Sequence, residues 1–434
     1  MVVLTNGTGV NATGAYPNFT LTNTLPNTTH TGDATGGSAL TVVKIQGNAV
    51  SSTAPSTNQA LQWNGSQWIP STLTAPSAGW LLTGNSGTSA STNFIGTTDF
   101  NPIIFKFSGQ PSGRIDQLNT SFGHLALGEN TSGYCNTAIG TSALVHNTVG
   151  YDNTSIGMQT LVVNTSGYKN TAIGSGTLFS NTTGYNNTAI GVNALDYNTT
   201  RYGNSASGMH ALFSNTTGIF NTANGLTALQ LNTTGSFNTA NGNRAFSLNT
   251  TGNSNVAFVA NALFSNTTGS NLVAIGDSAL YSNMGSQSVS NTAVGSKALF
   301  ANTLGSENTA TGSKALYTNT TGLENTATGN SSLFSNISGS YDTATGFSAL
   351  YNNTTGFQNT SFGSGSPYNN TTGHFNTAFG YAALFNNKAN FRCLAMGTYA
   401  IYNADDRTSG KGTYSTAIGH EALKGGITPS DNAG

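Results

Sequence analysis

The chain has 434 residues and a formal net charge of −1, with only 13 Lys+Arg and 14 Asp+Glu. A nucleic-acid binder needs clustered cations and a membrane-spanning helix roughly 20 apolar residues in a row; the sequence has neither, so no nucleic-acid partner and no membrane insertion are expected. At 6% charged residues, against about 25% in ordinary domains, the chain does not read as a set of globules, and its 16 Tyr and 22 Phe set it apart from disordered chains, which combine high charge with few aromatics.

Residues 1–40 are rich in Asn, Thr and Gly without periodicity and read as an extended N-terminal arm for attachment. The opening apolar run, MVVL, is too short for a signal peptide. Such a chain is expected to be cytoplasmically made, or exported by another route, or carried out on a particle. Residues 41–115 read as small β modules. TVVKIQ is β-branched, and Asn64-Gly65 sits between Leu61-Gln62-Trp63 and Trp68 as a hairpin turn. Both Trp are expected to fill a small core. Further on, IIFKFSG alternates between Pro102 and Gly109, and Gln110-Pro111-Ser112-Gly113 reads as a turn into the next region.

From 116 to 424 the chain repeats the 17-residue unit NTATGSKALYTNTTGLE, seen at Asn308–Glu324. Copies begin every 17 residues from Asn119 to Leu272, resume after a two-residue slip at Asn291, run to Cys393, and end with one at Ser415 after a longer insertion, 18 in all. A period this short and regular means that each unit meets only its neighbours, as in a solenoid. Residues 425–434 form a C-terminal tail.

Numbering each copy from zero at its first Asn, the columns have distinct roles. Gly at position 4, absent only at Val259, and Gly at position 14 read as coil corners, because Gly admits positive φ and close backbone approach. Ala at position 2 and Leu at position 8 supply a thin core that only stacking can bury. Asn at positions 0 and 11 is expected to form hydrogen-bonded ladders between coils. Many copies also match N-x-[ST], as at Asn181, but dense stacking argues against glycosylation there.

Two aromatic columns stand out. Position 15 carries Tyr134, Tyr151, Tyr168, Tyr185 and Tyr202, read as a candidate glycan-stacking row because Tyr offers an apolar face with a polar tip. Position 9 carries Phe264, Tyr281, Phe300, Tyr317, Phe334, Tyr351, Tyr368, Phe385 and Tyr402. Adjacent residues of an extended segment face opposite sides, so burying Leu316 should point Tyr317 outward. Nine outward rings would make an apolar patch that a monomer rarely exposes, and the row reads as a subunit interface.

Catalytic signals are weak. Lys297 and Lys314 share one column and Glu307 and Glu324 another; a pair of carboxylates one coil apart invites comparison with a retaining glycosidase, but no further polar group accompanies them and a solvated face accounts for them. Asp405-Asp406 reads as a turn. The six His lack ligand spacing, Cys135 and Cys393 read as free thiols, and neither a metal nor a cofactor is expected. The chain does not read as an enzyme.

HTGDATGGSALTVVKIQGNAVSSTAPSTNQALQWNGSQWIP resembles linker modules of bacteriophage tail fibres and related bacterial fibre proteins, GWLLTGNSGTSASTNFIGTTDFNPIIFKF resembles a segment that often precedes NTAxGxxAL repeats in those proteins, and Asn187-Thr188-Ala189-Ile190-Gly191 resembles the repeat of trimeric autotransporter adhesin heads. The resemblance implies an all-β, left-handed parallel β-roll-like solenoid, homotrimeric, joined through its N-terminal region to a baseplate, tail or filament subunit and reaching bacterial surface glycans. It places the protein on a virion or at the cell surface. Nothing after Lys424 resembles the self-cleaving chaperone domain that ends many such fibres. The alternatives are a bacterial extracellular adhesin or self-polymerising filament subunit and, from the enzyme class, a tail-spike depolymerase.

Overall fold

The computed structural model describes residues 99–284, 289–403 and 414–425 continuously, with residue 97 and short stretches between 10 and 72. The stretch 73–96, the slip at 285–288, Asp405-Asp406 and the last nine residues of the tail lie outside the described residues. The chain divides into two compact units, Met1–Gly96 and Thr97–Gly434.

The first unit consists of antiparallel pairs. β1 (Val10–Thr13) pairs with β2 (Thr20–Asn23), and β3 (Ala34–Thr35) with β4 (Thr41–Val42). Residues 1–40 therefore include paired strands, which the aperiodic composition did not announce. β5 (Lys44–Ile45) pairs with β6 (Asn48–Ala49), and β7 (Gln59–Trp63) with β8 (Trp68–Thr72). The Asn64-Gly65 turn forms as expected: Gly65 has φ +98, and Asn64 Oδ1 accepts from the Ser66 and Gln67 amides, both at 2.9 Å. Trp63 and Trp68 face each other across the strands at 5.7 Å. Trp63 stays 39% exposed, so the pair caps a hairpin and does not fill a closed core.

The second unit opens with the hairpin β9 (Ile103–Phe107) and β10 (Gln110–Ile115). The expected turn at 110–113 is strand, with a bulge between Pro111 and Gly113. The chain reverses instead at Ser108-Gly109, where both residues have positive φ (49 and 80), the backbone that suits the twist of a two-residue hairpin. β10 pairs antiparallel with β11 (Asn119–Phe122), Arg114 opposite Ser121. From β11 to β28 (Thr416–Ile418), 18 short strands follow one per repeat. All pair in parallel and column on column, as in Thr309↔Thr326, Ala310↔Ala327 and Thr311↔Thr328. The protein is all-β, a parallel β-solenoid, and no helix occurs among the described residues.

Each coil devotes only about three residues to strand. In Thr309–Thr311 the central Ala310 is fully buried and its neighbours are exposed. The rest of the coil is turn, and its corners are not those expected. Gly312 is left-handed (φ 134), but so are the non-glycine residues Lys314 (φ 57), Leu316 (φ 52) and Glu324 (φ 53), and these columns repeat along the stack. Left-handed backbone costs an L-residue about 1–2 kcal/mol. The compensation is visible in the hydrogen bonds. Leu316 N–H donates to Ser332 O of the next coil (2.9 Å), while Lys314 and Glu324 N–H donate to Ser296 and Ser306 O of the previous one (2.9 and 3.0 Å). Alternating handedness turns successive peptides along the stacking axis, so the turns too are hydrogen-bonded from coil to coil.

The core is as thin as expected: Ala310, Ala315 and Leu316 have no exposure, and neither do Asn308 and Asn319. Gly at position 14 has a different reason from Gly at position 4. Gly322 is not left-handed, but a Cβ there would lie 2.3 Å from Asn319 Oδ1 and 2.3 Å from Gly339 O. Close approach, not φ, requires it.

Candidate functional site

Both Asn columns form the expected ladders. Asn325 Nδ2 donates to Asn308 Oδ1 (3.0 Å) and Asn336 Nδ2 to Asn319 Oδ1 (2.7 Å). Asn181, the sample N-x-[ST] match, is fully buried, and its amide donates to Asn164 Oδ1 at 2.8 Å. The position 0 column departs from Asn at Leu272, Asp342, Cys393 and Ser415, and of these Asp342 alone brings a carboxylate. This carboxylate has no exposure and accepts from Asn359 N and Nδ2 on one oxygen (2.8 and 3.0 Å) and from Asn353 Nδ2 on the other (3.1 Å). Burial drives its pKa from 3.8 up to about 7, and the hydrogen bonds from Asn359 and Asn353 only partly oppose that rise.

Those ladders fix the coils one above another, and the aromatic columns become continuous stacks. Tyr134, Tyr151, Tyr168, Tyr185 and Tyr202 lie ring on ring at 4.7–5.0 Å with planes within 8°. Tyr151, Tyr168 and Tyr185 thus have a ring on both faces and present edges and hydroxyls outward. Phe220 closes the far end edge-on to Tyr202 at 5.4 Å.

The nine rings from Phe264 to Tyr402 stack likewise at 4.9–5.3 Å, with planes within 15°. They are outside the core but half-buried, each covered by the next. The strand-alternation argument for Tyr317 does not apply, because Lys314 and Leu316 are both left-handed and the segment is a turn. The ring leaves the core through turn geometry and is then sheltered by Phe300 and Phe334.

A third stack, Phe357–His374–Phe391 at 4.7 and 4.6 Å, went unrecognised in the sequence. Its signal was there: the three residues occupy the same column as the Tyr row, with a His among them. Also missed was an outward column at position 3, where Ile139, Ile173 and Ile190 are each 36–42% exposed.

The charged pairs stay apart from any site. Lys314, Glu307 and Glu324 are exposed on the coil surface. Cys135 is exposed and Cys393 buried, and neither forms a disulfide. Among the described residues no group of three or more His, Cys, Asp or Glu could hold a metal ion. Compared with family models, curated proteins and solved structures, the chain matches none.

Proposed function

We propose that this chain is a structural fibre protein of a phage tail or phage-like particle, a homotrimer whose solenoid is a rigid shaft and whose N-terminal region attaches it to baseplate or tail. The observation that carries this reading is the unbroken coil-to-coil bonding. Strands, turns, two amide ladders and stacked rings all run parallel to one axis, so bending the stack strains every column at once. Eighteen coils at about 4.8 Å make a rod of roughly 85 Å. In the trimer the half-buried edges of the nine-ring stack are the surface that a neighbouring subunit covers, and the shaft reaches bacterial surface glycans on the outside. The Tyr row contributes ring edges and hydroxyls to that contact.

Light scattering after size exclusion tests the assembly. A mass near three times 44.4 kDa is expected, and a single-chain mass removes the fibre reading. One feature favours a filament subunit as the second reading. Among the described residues β28 pairs on one side only, with Leu394–Met396, and a free strand edge is a template for axial addition. A very large, open-ended mass would select that reading.

A further inference from the structure

In most coils position 6 carries a side chain, and the column passes through Gln159, Gly176 and Asn193. At Gly176 (φ +65) a Cβ would lie 2.3 Å from Asn193 Oδ1, so this coil alone of the three gives up its side chain there. The Asn193 amide takes the space of the missing Cβ, and beside it lies a notch of about 330 Å³ whose walls include Gln159, Ser175, Phe179, Asn193, Asp196 and Tyr197, a volume at the small end of ligand sites.

The chemistry of the walls is specific. Phe179 occupies the position 9 column where the stack is interrupted, with Val162 one coil before it and Asp196 one coil after. Among the described residues no ring lies against Phe179, and it is 36% exposed; Tyr197 beside it is 50% exposed and meets Phe213 only edge-on, at 5.1 Å. Unlike the stacked Tyr151 or Tyr168, Phe179 carries no ring on either face and is partly exposed in the notch. Around it, none of the side-chain polar atoms of Gln159, Ser175, Asn193 or Asp196 has a hydrogen-bond partner within the described chain. Asp196 is partly withdrawn from water, which raises its carboxyl pKa, and His210 nearby works the other way. No Lys or Arg lines the cavity, so it offers nothing to neutralise a phosphate, sulfate or uronate.

We infer that this notch is a subsite for one neutral pyranose unit of a glycan, its C–H face laid on Phe179 and its hydroxyls held by Asp196, Gln159 and Asn193. An aromatic face with convergent amides and one carboxylate matches the two sides of a sugar ring: apolar C–H on the face, paired donors and acceptors at the rim. The inference rests on the reading of the shaft as a glycan-reaching element, and adds where on the shaft a sugar sits.

The test uses the full chain and two substitutions whose side chains already occur in the same columns of other coils. Ser stands in the Gly176 column at Ser142 with φ 58, and Val stands in the Phe179 column at Val145 and Val162. Gly176→Ser sets a Cβ against Asn193 Oδ1 and displaces that amide from the notch, and Phe179→Val removes the platform; unchanged circular dichroism and thermal midpoint verify the fold. Saturation-transfer NMR is run with the methyl glycosides of glucose, galactose and mannose and with N-acetylglucosamine. Transfer to at least one sugar by the parent chain is expected, falling at least about tenfold in both variants. Absence of transfer to all four, or transfer retained in either variant, overturns the subsite. Retention of the chain on bacteria with and without their surface polysaccharide is measured in parallel. Polysaccharide-dependent retention that both variants keep would sink the subsite and leave the glycan reading standing, whereas no dependence in the parent chain would remove both.

Discussion

Asn308 and Asn319 donate to one and the same acceptor, the carbonyl oxygen of Gly322, at 2.8 and 3.2 Å. The first Asn opens the strand, the second follows the turn, and Gly322 ends the coil. Two buried amides thereby draw the beginning, middle and end of one coil to a point, while their oxygens reach the coil above. Asn319 Nδ2 also donates to Asn302 Oδ1 at 2.8 Å, and Asn319 Oδ1 accepts from Asn336 at 2.7 Å. The closure of a coil and its stacking are the same set of bonds.

Asn319→Ala removes this node: Asn302 Oδ1 loses its Asn319 donor and one N–H of Asn336 Nδ2 loses its acceptor inside the core, while Gly322 O keeps Asn308 and Asn336 keeps Gly339 O. The cost is about 1–3 kcal/mol for each buried group left unsatisfied. Because a repeat stack opens locally, hydrogen exchange is the proper readout. Faster exchange in the coils that begin at Asn291, Asn308 and Asn325, with distant coils unchanged, is expected; uniform protection along the stack would contradict the ladder's role.

Asp342→Asn is expected to stabilise the shaft at neutral and alkaline pH. Asp342 sits where other coils place an amide whose Nδ2 donates to the Gly carbonyl, as Asn325 does to Gly339 at 2.8 Å; a carboxyl can make that donation only when protonated. Its folded pKa, about 7, lies above the ordinary 3.8, so its contribution is fully present below about pH 4 and is lost as pH rises towards 7. Above that the loss levels off, at roughly 4 kcal/mol as an upper figure. The parent protein should lose local stability around residues 325–370 between pH 4 and 7, and the Asn variant should not. A parent whose exchange protection there is flat over this window would refute the assignment.

Gly312→Ala and Gly322→Ala should both destabilise by more than about 2 kcal/mol, for different reasons. At Gly312 the backbone is left-handed and a Cβ would meet Gly329 O at 2.4 Å; at Gly322 the φ is ordinary but Asn319 Oδ1 and Gly339 O stand in the way. A D-alanine at each position, introduced by semisynthesis, separates the two. It relieves the backbone strain at Gly312, so recovery there and none at Gly322 is the expected result in thermal denaturation.

Tyr168→Ala breaks the Tyr stack in its middle and removes two ring contacts, at 4.8 and 4.7 Å. At about 0.5–1.5 kcal/mol per pair, the loss is roughly 1–3 kcal/mol. Tyr134→Ala removes one contact, at 5.0 Å, and should cost about half as much. Equal losses at the two positions, by chemical denaturation, would show that the rings are held by their own coil and not by one another.

Some of this was legible in residues alone. The invariant spacing of Leu316-like and Asn319-like columns announced a stack with one coil per repeat and amide ladders inside it, because a buried Asn needs a partner and only its own copy recurs at every level. The corners were not legible. Lys314, Leu316 and Glu324 carry no mark of left-handed backbone, since the bonds that stabilise it come from Ser296, Ser306 and Ser332 in other coils. The hairpin turn was misplaced for a related reason: Pro111 and Gly113 look like a turn, but a bulge accommodates both within a strand.

The sequence by itself determined the architecture, the period, the core columns and the alignment of like with like. A slip of one residue would set the buried Asn of position 0 against Thr and the buried Leu of position 8 against Ala or an outward ring in coil after coil, so the 17-residue pattern admits a single register. Only the tertiary structure decided which surfaces remain free. It showed that Tyr rings one repeat apart cover one another's faces, that the nine-ring row is half-buried by itself, and that Phe179, with no ring stacked on it, is partly exposed in a notch beside Asp196. Those outcomes depend on where a side chain points once the turns alternate in hand, which is set by hydrogen bonds between coils and by no local run of residues.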